Sequence, residues 1–221
     1  VCRAWAQEGA DEGAVALADH QSHGRGRLNR TWTAPPGTAL LWSCLVRAPL
    51  PADRWPELTL LAGCAVAEGV EAATGLPARL RWPNDVLVDG KKVAGILAEG
   101  VVNDVPAIIL GVGINVHQAP EDWPPSLRER AASLAMLGAT ASREAVFQAV
   151  CERLGARYDA LLATGFEAVR AAWRARGLLG VPVRARTGEE GTAVDLETNG
   201  ALLIRLRDGS LVAVTAAGTL A

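Results

Sequence analysis

No apolar run in this sequence reaches the roughly 18–20 residues that a bilayer-spanning helix needs, which excludes a transmembrane helix. The start, Val1-Cys2-Arg3-Ala4-Trp5, lacks the charged-then-apolar order of a secretory leader. Residue 1 is not Met, so part of the natural N-terminus is expected to lie upstream. Four cysteines stand apart at 2, 44, 64 and 151, with no Cys-x-x-Cys pair, and three histidines (His20, His23, His117) complete no zinc pattern. Cys44 and Cys64 lie in apolar runs and read as buried thiols, which suits a reducing cytoplasm. The net charge of −2 and pI of about 6.0 lack the basic excess of a dedicated nucleic-acid-binding domain. Seven tryptophans stand against one tyrosine and two phenylalanines, and they form no aromatic strip on which bases would stack. There are no repeats and no low-complexity linker. The most telling absence is local: from His20 through Ala52 there is no Asp or Glu.

What fills that gap is Gln21-Ser22-His23-Gly24-Arg25-Gly26-Arg27-Leu28-Asn29-Arg30-Thr31-Trp32, with three arginines, two glycines and an indole. Such charge segregation argues against a solvated salt-bridge surface and for a bound anion. The glycines let the backbone approach a ligand, and the arginines can fork onto carboxylate or phosphate oxygens. A flexible basic loop or a nucleic-acid patch is the alternative reading of the segment alone.

Half of the residues are apolar, enough for one sizeable core or a main domain plus a small one. Val15-Ala16-Leu17-Ala18 reads as a short buried strand leading to the arginine loop, and Thr38 to Val46 as a second core strand. Pro56 suits the first turn of a helix on which Leu58, Leu61, Ala62, Ala65, Val66, Gly69 and Val70 keep helical spacing, with Gly75 and Pro77 as its stop. Arg79 to Trp82 and Val86 to Val88 read as strands. Asp89-Gly90 makes a two-residue turn into a strand from Lys92 to Ala98, and Asn103-Asp104 a turn before a strand from Ala107 to Val116. A helix follows from Ser142, its N-cap, with Val146, Ala149, Val150 and Leu154 on one face. Another is expected to open on a capping box, Thr164-Gly165-Phe166-Glu167, and end near Gly177. Past Gly177 come short strands with Asn199-Gly200 and Asp208-Gly209 turns, the pattern of a small barrel that leans on the main domain. Consecutive hairpins with separate helices make the fold class α+β with a mixed, largely antiparallel sheet. The expected domains are 1–176 and 177–221.

Three segments concentrate the chemistry: the arginine loop, Arg81-Trp82-Pro83-Asn84-Asp85, and Gly111-Val112-Gly113-Ile114-Asn115. The second also reads as an ordinary turn, and the third as a close strand contact. The third is not a dinucleotide fingerprint, because a third glycine and a following helix are absent.

In this order and spacing, the segments resemble the biotin–protein ligases, which carry Gly-Arg-Gly-Arg-x-Gly-Arg-x-Trp, Lys-Trp-Pro-Asn-Asp, Lys-x-Ala-Gly-Ile-Leu and Gly-x-Gly-x-Asn. Here these fall on Gly24 to Trp32, Arg81 to Asp85, Lys92 to Leu97 and Gly111 to Asn115. Ser133-Leu134 resembles the family's downstream Thr-Ser-Leu. The resemblance covers nearly the whole chain. It implies a catalytic domain like that of class II aminoacyl-tRNA synthetases, followed by an SH3-like barrel. It also implies a two-step reaction of ATP and biotin, with Mg²⁺ accompanying the triphosphate. Biotin is activated as biotinyl-5′-AMP, then passed to a lysine on the biotin carboxyl carrier domain of a biotin-dependent carboxylase.

The resemblance places Arg25, Arg27 and Arg81 in catalysis. It assigns Gln21, Gly24, Arg25, Gly26, Arg27, Trp32, Arg81 and Gly95 to biotin. Arg25, Arg27, Arg30, Trp32, Asn84, Lys92, Asn115 and Ser133 go to the nucleotide. Cationic donors are needed because two negative reactants must meet. The expected protein is cytoplasmic, monomeric or homodimeric, and binds neither nucleic acid nor membrane, since the family's N-terminal helix-turn-helix is absent from the sequence. A lipoate- or octanoate-transferring relative and a non-catalytic biotin-binding homologue are the alternatives.

Three positions depart from the family pattern. Its Ser-Thr-Asn motif is expected just before Val1. Asn29 stands where the loop's third glycine is usual, and Asn tolerates a left-handed backbone. Arg81 replaces a lysine, exchanging a compact ammonium for a planar fork, and Lys91 or Lys92 is placed to share its role.

Overall fold

The computed structural model describes residues 1–102, 106–185 and 188–215. In chain order these form α1 (Cys2–Gln7), β1 (Val15–Ala18), β2 (Ala39–Val46), α2 (Pro56–Thr74), β3 (Ala78–Arg81), β4 (Asp85–Val88), β5 (Lys91–Val101) and β6 (Ala107–Asn115). Then come α3 (Pro125–Arg128), α4 (Arg143–Thr164), α5 (Glu167–Arg176), β7 (Pro182–Arg184), β8 (Glu190–Leu196), β9 (Leu202–Leu206) and β10 (Leu211–Val214). Six strands make one sheet in the order β1-β2-β6-β5-β4-β3, and four make a second, β10-β9-β8-β7. The ladders within both sheets are antiparallel. The α+β class and its largely antiparallel sheet are as expected, and the C-terminal sheet has the form expected of an SH3-like domain.

The period of two along β2 and β6 divides the large sheet into two chemically different faces. Leu40, Trp42, Cys44 and Val46 join Ile108, Leu110, Val112 and Ile114 on the face covered by α2 and α4. Helix α2 is buried along most of its length. Each large apolar side chain it buries, such as Leu58, Leu61 or Val70, contributes about 1.5–3 kcal/mol. It starts with Pro56 in its first turn and stops at Gly75, whose φ of 73° is left-handed. Gly69 lets α4 approach, because a Cβ there would lie 2.5 Å from Val150 Cγ2. On the opposite face, α1 caps one end only, where Cys2 and Ala6 cover Leu45, Ala107 and Ile109. The rest of that face is left open to a cleft.

The β4–β5 turn has positive φ at both central residues, 49° at Asp89 and 71° at Gly90, as its Asp-Gly pair demands. Hydrogen bonds that tie the C-terminal part to the main domain include Leu178 N–H to Leu80 O (2.8 Å), Arg79 Nη2 to Gly177 O (3.0 Å), Trp82 Nε1 to Gly200 O (3.0 Å) and, from α5, Arg170 Nε to Leu196 O (2.8 Å).

Two sequence expectations are corrected. Strand β1 is not buried: it is an outer strand bonded to β2, with Val15 and Leu17 exposed. Thr164 opens no helix but closes α4, its hydroxyl donating back to Ala160 O; Phe166 takes the N-cap of α5 without a side-chain cap bond. The Ser142 cap does form, accepting from Ala145 N–H at 3.2 Å. Helices α1 and α3 were not anticipated, being too short to show a period. The Asn103-Asp104 turn lies outside the described residues. Cys44 and Cys64 are buried, and desolvation pushes both thiols up to about 12.

Candidate active site

The open face of the sheet, the arginine loop and the edge of the C-terminal sheet enclose a cleft of about 1240 Å³. Leu41, Ser43, Leu97, Gly111 and Gly113 supply its floor from β2, β5 and β6. Its rim is cationic, built from Arg25, Arg27, Arg30, Arg81, Lys92 and Arg130.

The loop closes on itself through short backbone bonds. Gly26 N–H donates to Arg30 O at 2.7 Å and Trp32 N–H to Gly24 O at 3.0 Å. Leu28 and Asn29 sit at φ 56° and 59°, so the position expected to tolerate left-handed backbone does adopt it. Leu28 adopts it too, which is uncommon outside Gly, Asn and Asp, and its own sequence gives no sign of it. Gly24 is required by close approach: a Cβ there would lie 2.2 Å from Trp32 O.

The loop delivers Trp32 onto two glycines. Gly95 and Gly113 face each other across β5 and β6. A Cβ on Gly113 would stand 2.7 Å from Trp32 Cε2, and one on Gly95 would stand 3.1 Å from its Cζ3. The strand pair is therefore cut away where the indole rests. Lys92 Nζ lies 5.7 Å from the indole centroid, within cation–π range.

Asp85 organises the cations. Arg81 Nη2 donates to its Oδ2 at 2.8 Å and Lys92 Nζ meets its Oδ1 at 2.5 Å. Burial pushes the Arg27 guanidinium below its ordinary value and nearby Asp85 opposes that shift, while a guanidinium stays charged throughout. Arg25 is turned to Glu99, which it grips with both Nη atoms. Arg30 and Gln21 line the cleft, with Gln21 Oε1 beside Gly24.

The remaining sequence candidates serve as struts. Asn84 Nδ2 donates to Ile96 O at 2.8 Å, pinning the Trp-Pro-Asn-Asp turn to β5. Asn115 lines the back of the cleft, its Nδ2 donating to Ala132 O at 3.2 Å and to Lys92 O at 3.4 Å. Ser133 is fully buried and does not line the cleft; its hydroxyl donates to Gln118 O and accepts from Met136 N–H. Sequence reasoning named Asp85 and Gly113 inside motifs without a role, and passed over Glu99, Gln118 and Ser43. The alternation of β5 carried the signal for Glu99, which shares a face with Gly95 and Leu97.

An open-faced antiparallel sheet roofed by a basic glycine loop, with a small SH3-like sheet at one end, defines an α+β protein built around a cleft with a cationic rim. Residues 3–115 match the Biotin/lipoate A/B protein ligase family, and residues 178–217 match the Biotin protein ligase C terminal domain. The chain belongs to the biotin/lipoate A/B protein ligase family. The bifunctional ligase/repressor BirA of Bacillus subtilis is 36% identical over 211 residues, covering 92% of this chain and 65% of that protein. The biotin–[acetyl-CoA-carboxylase] ligase of Paracoccus denitrificans is 35% identical over 208 residues, covering 89% and 86%. The biotin protein ligase from Aquifex aeolicus in complex with biotin and ATP superposes with a TM-score of 0.83 at 29% identity, covering 96% and 89%. The chain thus spans slightly under two thirds of the Bacillus relative's length.

Proposed function

We propose that this chain is an ATP-dependent ligase that activates biotin as biotinyl-5′-AMP and transfers it to a lysine of a carrier domain on a biotin-dependent carboxylase. A carboxylate oxygen of biotin attacks the α-phosphorus of ATP, the bond to the β-phosphate breaks, and pyrophosphate leaves. The carrier lysine's amine then attacks the carbonyl carbon of the mixed anhydride, the bond to the phosphate oxygen breaks, AMP leaves, and the amine's proton passes to solvent.

The observation that carries this reading is the split character of the cleft. The floor of glycines, Leu41, Ser43 and Leu97 suits a small, mainly apolar ring system. Arg27, Arg81 and Lys92 line the rim, which supports reading them as the charges that offset the repulsion between two anionic groups. Fixed cations of this kind stabilise the extra charge on phosphorus in the transition state without reorganising. Little acid–base work is required, because a carboxylate is already a nucleophile at neutral pH. We assign Arg25, Arg27, Arg81 and Lys92 to the anions, Trp32 to the wall between the two substrates, and Asn84, Asn115 and Ser133 to holding these in place.

Mg²⁺ would enter with the triphosphate. Among the described residues no three His, Cys, Asp or Glu side chains gather as a ligand set, and Asp85 already carries Arg81 and Lys92. The chain's own contribution to the phosphates on this reading is cationic, from Arg25, Arg27, Arg81 and Lys92.

The test is ATP–pyrophosphate exchange with biotin and lipoate as rival acids. Exchange with biotin exceeding that with lipoate is expected. Equal or greater exchange with lipoate overturns the biotin assignment, and no exchange with either acid, in a chain extended upstream of Val1, favours a non-catalytic binding protein.

A further inference from the structure

At the back of the cleft lies a small buried polar cluster of Gln118, Asn115 and Ser133. Gln118 is buried, 1% exposed, in a chain whose other fully buried residues are almost all apolar. Its side-chain Nε2 donates to Asn115 Oδ1 at 2.9 Å, and its backbone oxygen accepts from Ser133 Oγ at 2.7 Å. Its Oε1 receives no hydrogen bond from the described residues, so only the donor end of this amide is used within the chain.

That bond anchors the accepting end of an amide whose donating end is committed to two backbone carbonyls. An asparagine amide has an accepting and a donating end of nearly the same shape. With Oδ1 held by Gln118, Nδ2 must point at the carbonyls of Lys92 and Ala132, which it does. The reverse orientation would set Oδ1 against those two oxygens. Lys92 is further tied to the same neighbouring segment by its backbone: its N–H donates to Arg130 O at 2.8 Å and its O accepts from Ala132 N–H at 3.1 Å. Lys92 is the first part of β5 beside the cleft, and its ammonium must span Asp85 and the Trp32 face at once.

We infer that Gln118 is a positioning residue: by fixing the Asn115 amide, it sets where the Lys92 backbone, and hence the Lys92 ammonium, stands in the cleft. This rests on the reading of Lys92 as a cation of the reacting site. A side chain misplaced by about 1 Å can lower a rate by as much as a hundredfold, so the effect on turnover is expected to exceed the effect on affinity.

The experiment is a cycle on the full chain, reading biotin-dependent ATP–pyrophosphate exchange for Gln118→Met, Lys92→Ala and the double variant. Gln118→Met keeps the volume and removes the donor. It is expected to lower kcat roughly tenfold, with KM for biotin within about twofold of the parent. In the Lys92→Ala background the same change is expected to alter the residual rate less than about twofold, because nothing remains to be positioned. Should Gln118→Met fold poorly, Gln118→Asn, which keeps an amide but shortens its reach, takes its place and an intermediate loss is expected. A parental kcat in Gln118→Met, with Lys92→Ala impaired, overturns the inference. So does an equal loss in both backgrounds, which would make Gln118 a general structural residue. Parental exchange in Lys92→Ala overturns instead the reading of Lys92 on which the inference stands.

Discussion

Arg25, at the head of the glycine loop, grips Glu99 of β5 in a two-pronged ion pair, its Nη1 and Nη2 lying 2.8 and 2.6 Å from the two carboxylate oxygens. Arg3 approaches the same carboxylate at 3.7 Å. In this pose both terminal nitrogens of Arg25 are committed to Glu99. On the proposed function, Glu99 competes with the ligand for Arg25.

Glu99→Gln is expected to tighten the binding of anionic ligand. An exposed ion pair is worth about 0.2–1 kcal/mol, so relieving the competition should improve retention of the adenylate by up to roughly fivefold. Arg25→Ala should do the opposite, by about tenfold or more, since a charge-assisted hydrogen bond is lost. Arg47→Ala is the control: its guanidinium holds Ala10 O and Ala6 O, away from the arginine loop. Dissociation rates of biotinyl-5′-AMP measure all three. Weaker retention in Glu99→Gln would show instead that the pair holds the loop in its binding shape.

Much of the fold was legible because its signals are local. The α2 spacing from Leu58 to Val70, the Gly75 stop and the Asp89-Gly90 turn each rest on neighbours within a few residues. The site was legible as a set of motifs but not as an arrangement. Nothing near Trp32 in sequence says that it lands on Gly95 and Gly113, and nothing near Arg25 names Glu99. Both contacts arise from the strand order, which puts β5 and β6 side by side. The Thr164 error has the same origin. A capping-box pattern was present, yet packing carried α4 up to its first residue, Thr164, with Leu161 buried one turn before the end.

Acid should loosen the contact between α5 and the C-terminal sheet. Arg174 and the backbone N–H of Leu196 hold the Asp195 carboxyl below its ordinary range. A carboxylate whose folded value is depressed contributes stability that is fully present above the unfolded value, near 4, and is lost as pH falls through the folded one. Asp195→Asn should accordingly lower the thermal midpoint at pH 7 and converge with the parent in strongly acidic buffer. A constant difference at all pH values would mean that the carboxylate's charge is not what matters there.

Arg81→Lys is expected to keep most adenylation, and Arg81→Ala to lose much of it. Arg81 shares Asp85 with Lys92, so the lysine substitution preserves the balance of two cations on one carboxylate. The alanine variant leaves Asp85 to Lys92 alone, drawing the ammonium away from its other partners. Removing a cation from such a site costs about 2–4 kcal/mol of transition-state stabilisation. Single-turnover adenylation measures it. Rates within about twofold of the parent in both variants would make Arg81 a rim residue only.

The seat of Trp32 gives the sharpest steric test. Gly113 lies beneath the six-membered ring, where a methyl group would come within 2.7 Å of Cε2 and 2.8 Å of Cζ2. Neither atom can yield alone, because the indole is rigid and its backbone is tied to Gly24. Gly113→Ala must therefore tilt or lift the whole ring, and the cation–π contact with Lys92 goes with it. Gly95→Ala meets the indole only at 3.1 Å and otherwise meets the flexible end of Lys92, which can give way. If Trp32 is the wall between the two substrates, Gly113→Ala should raise KM for both biotin and ATP, by roughly tenfold for a misplacement of this size, and Gly95→Ala by less. Trp32→Phe, with a smaller ring, should restore part of the loss when combined with Gly113→Ala. Unchanged KM values in a folded Gly113→Ala protein would remove Trp32 from the substrate wall.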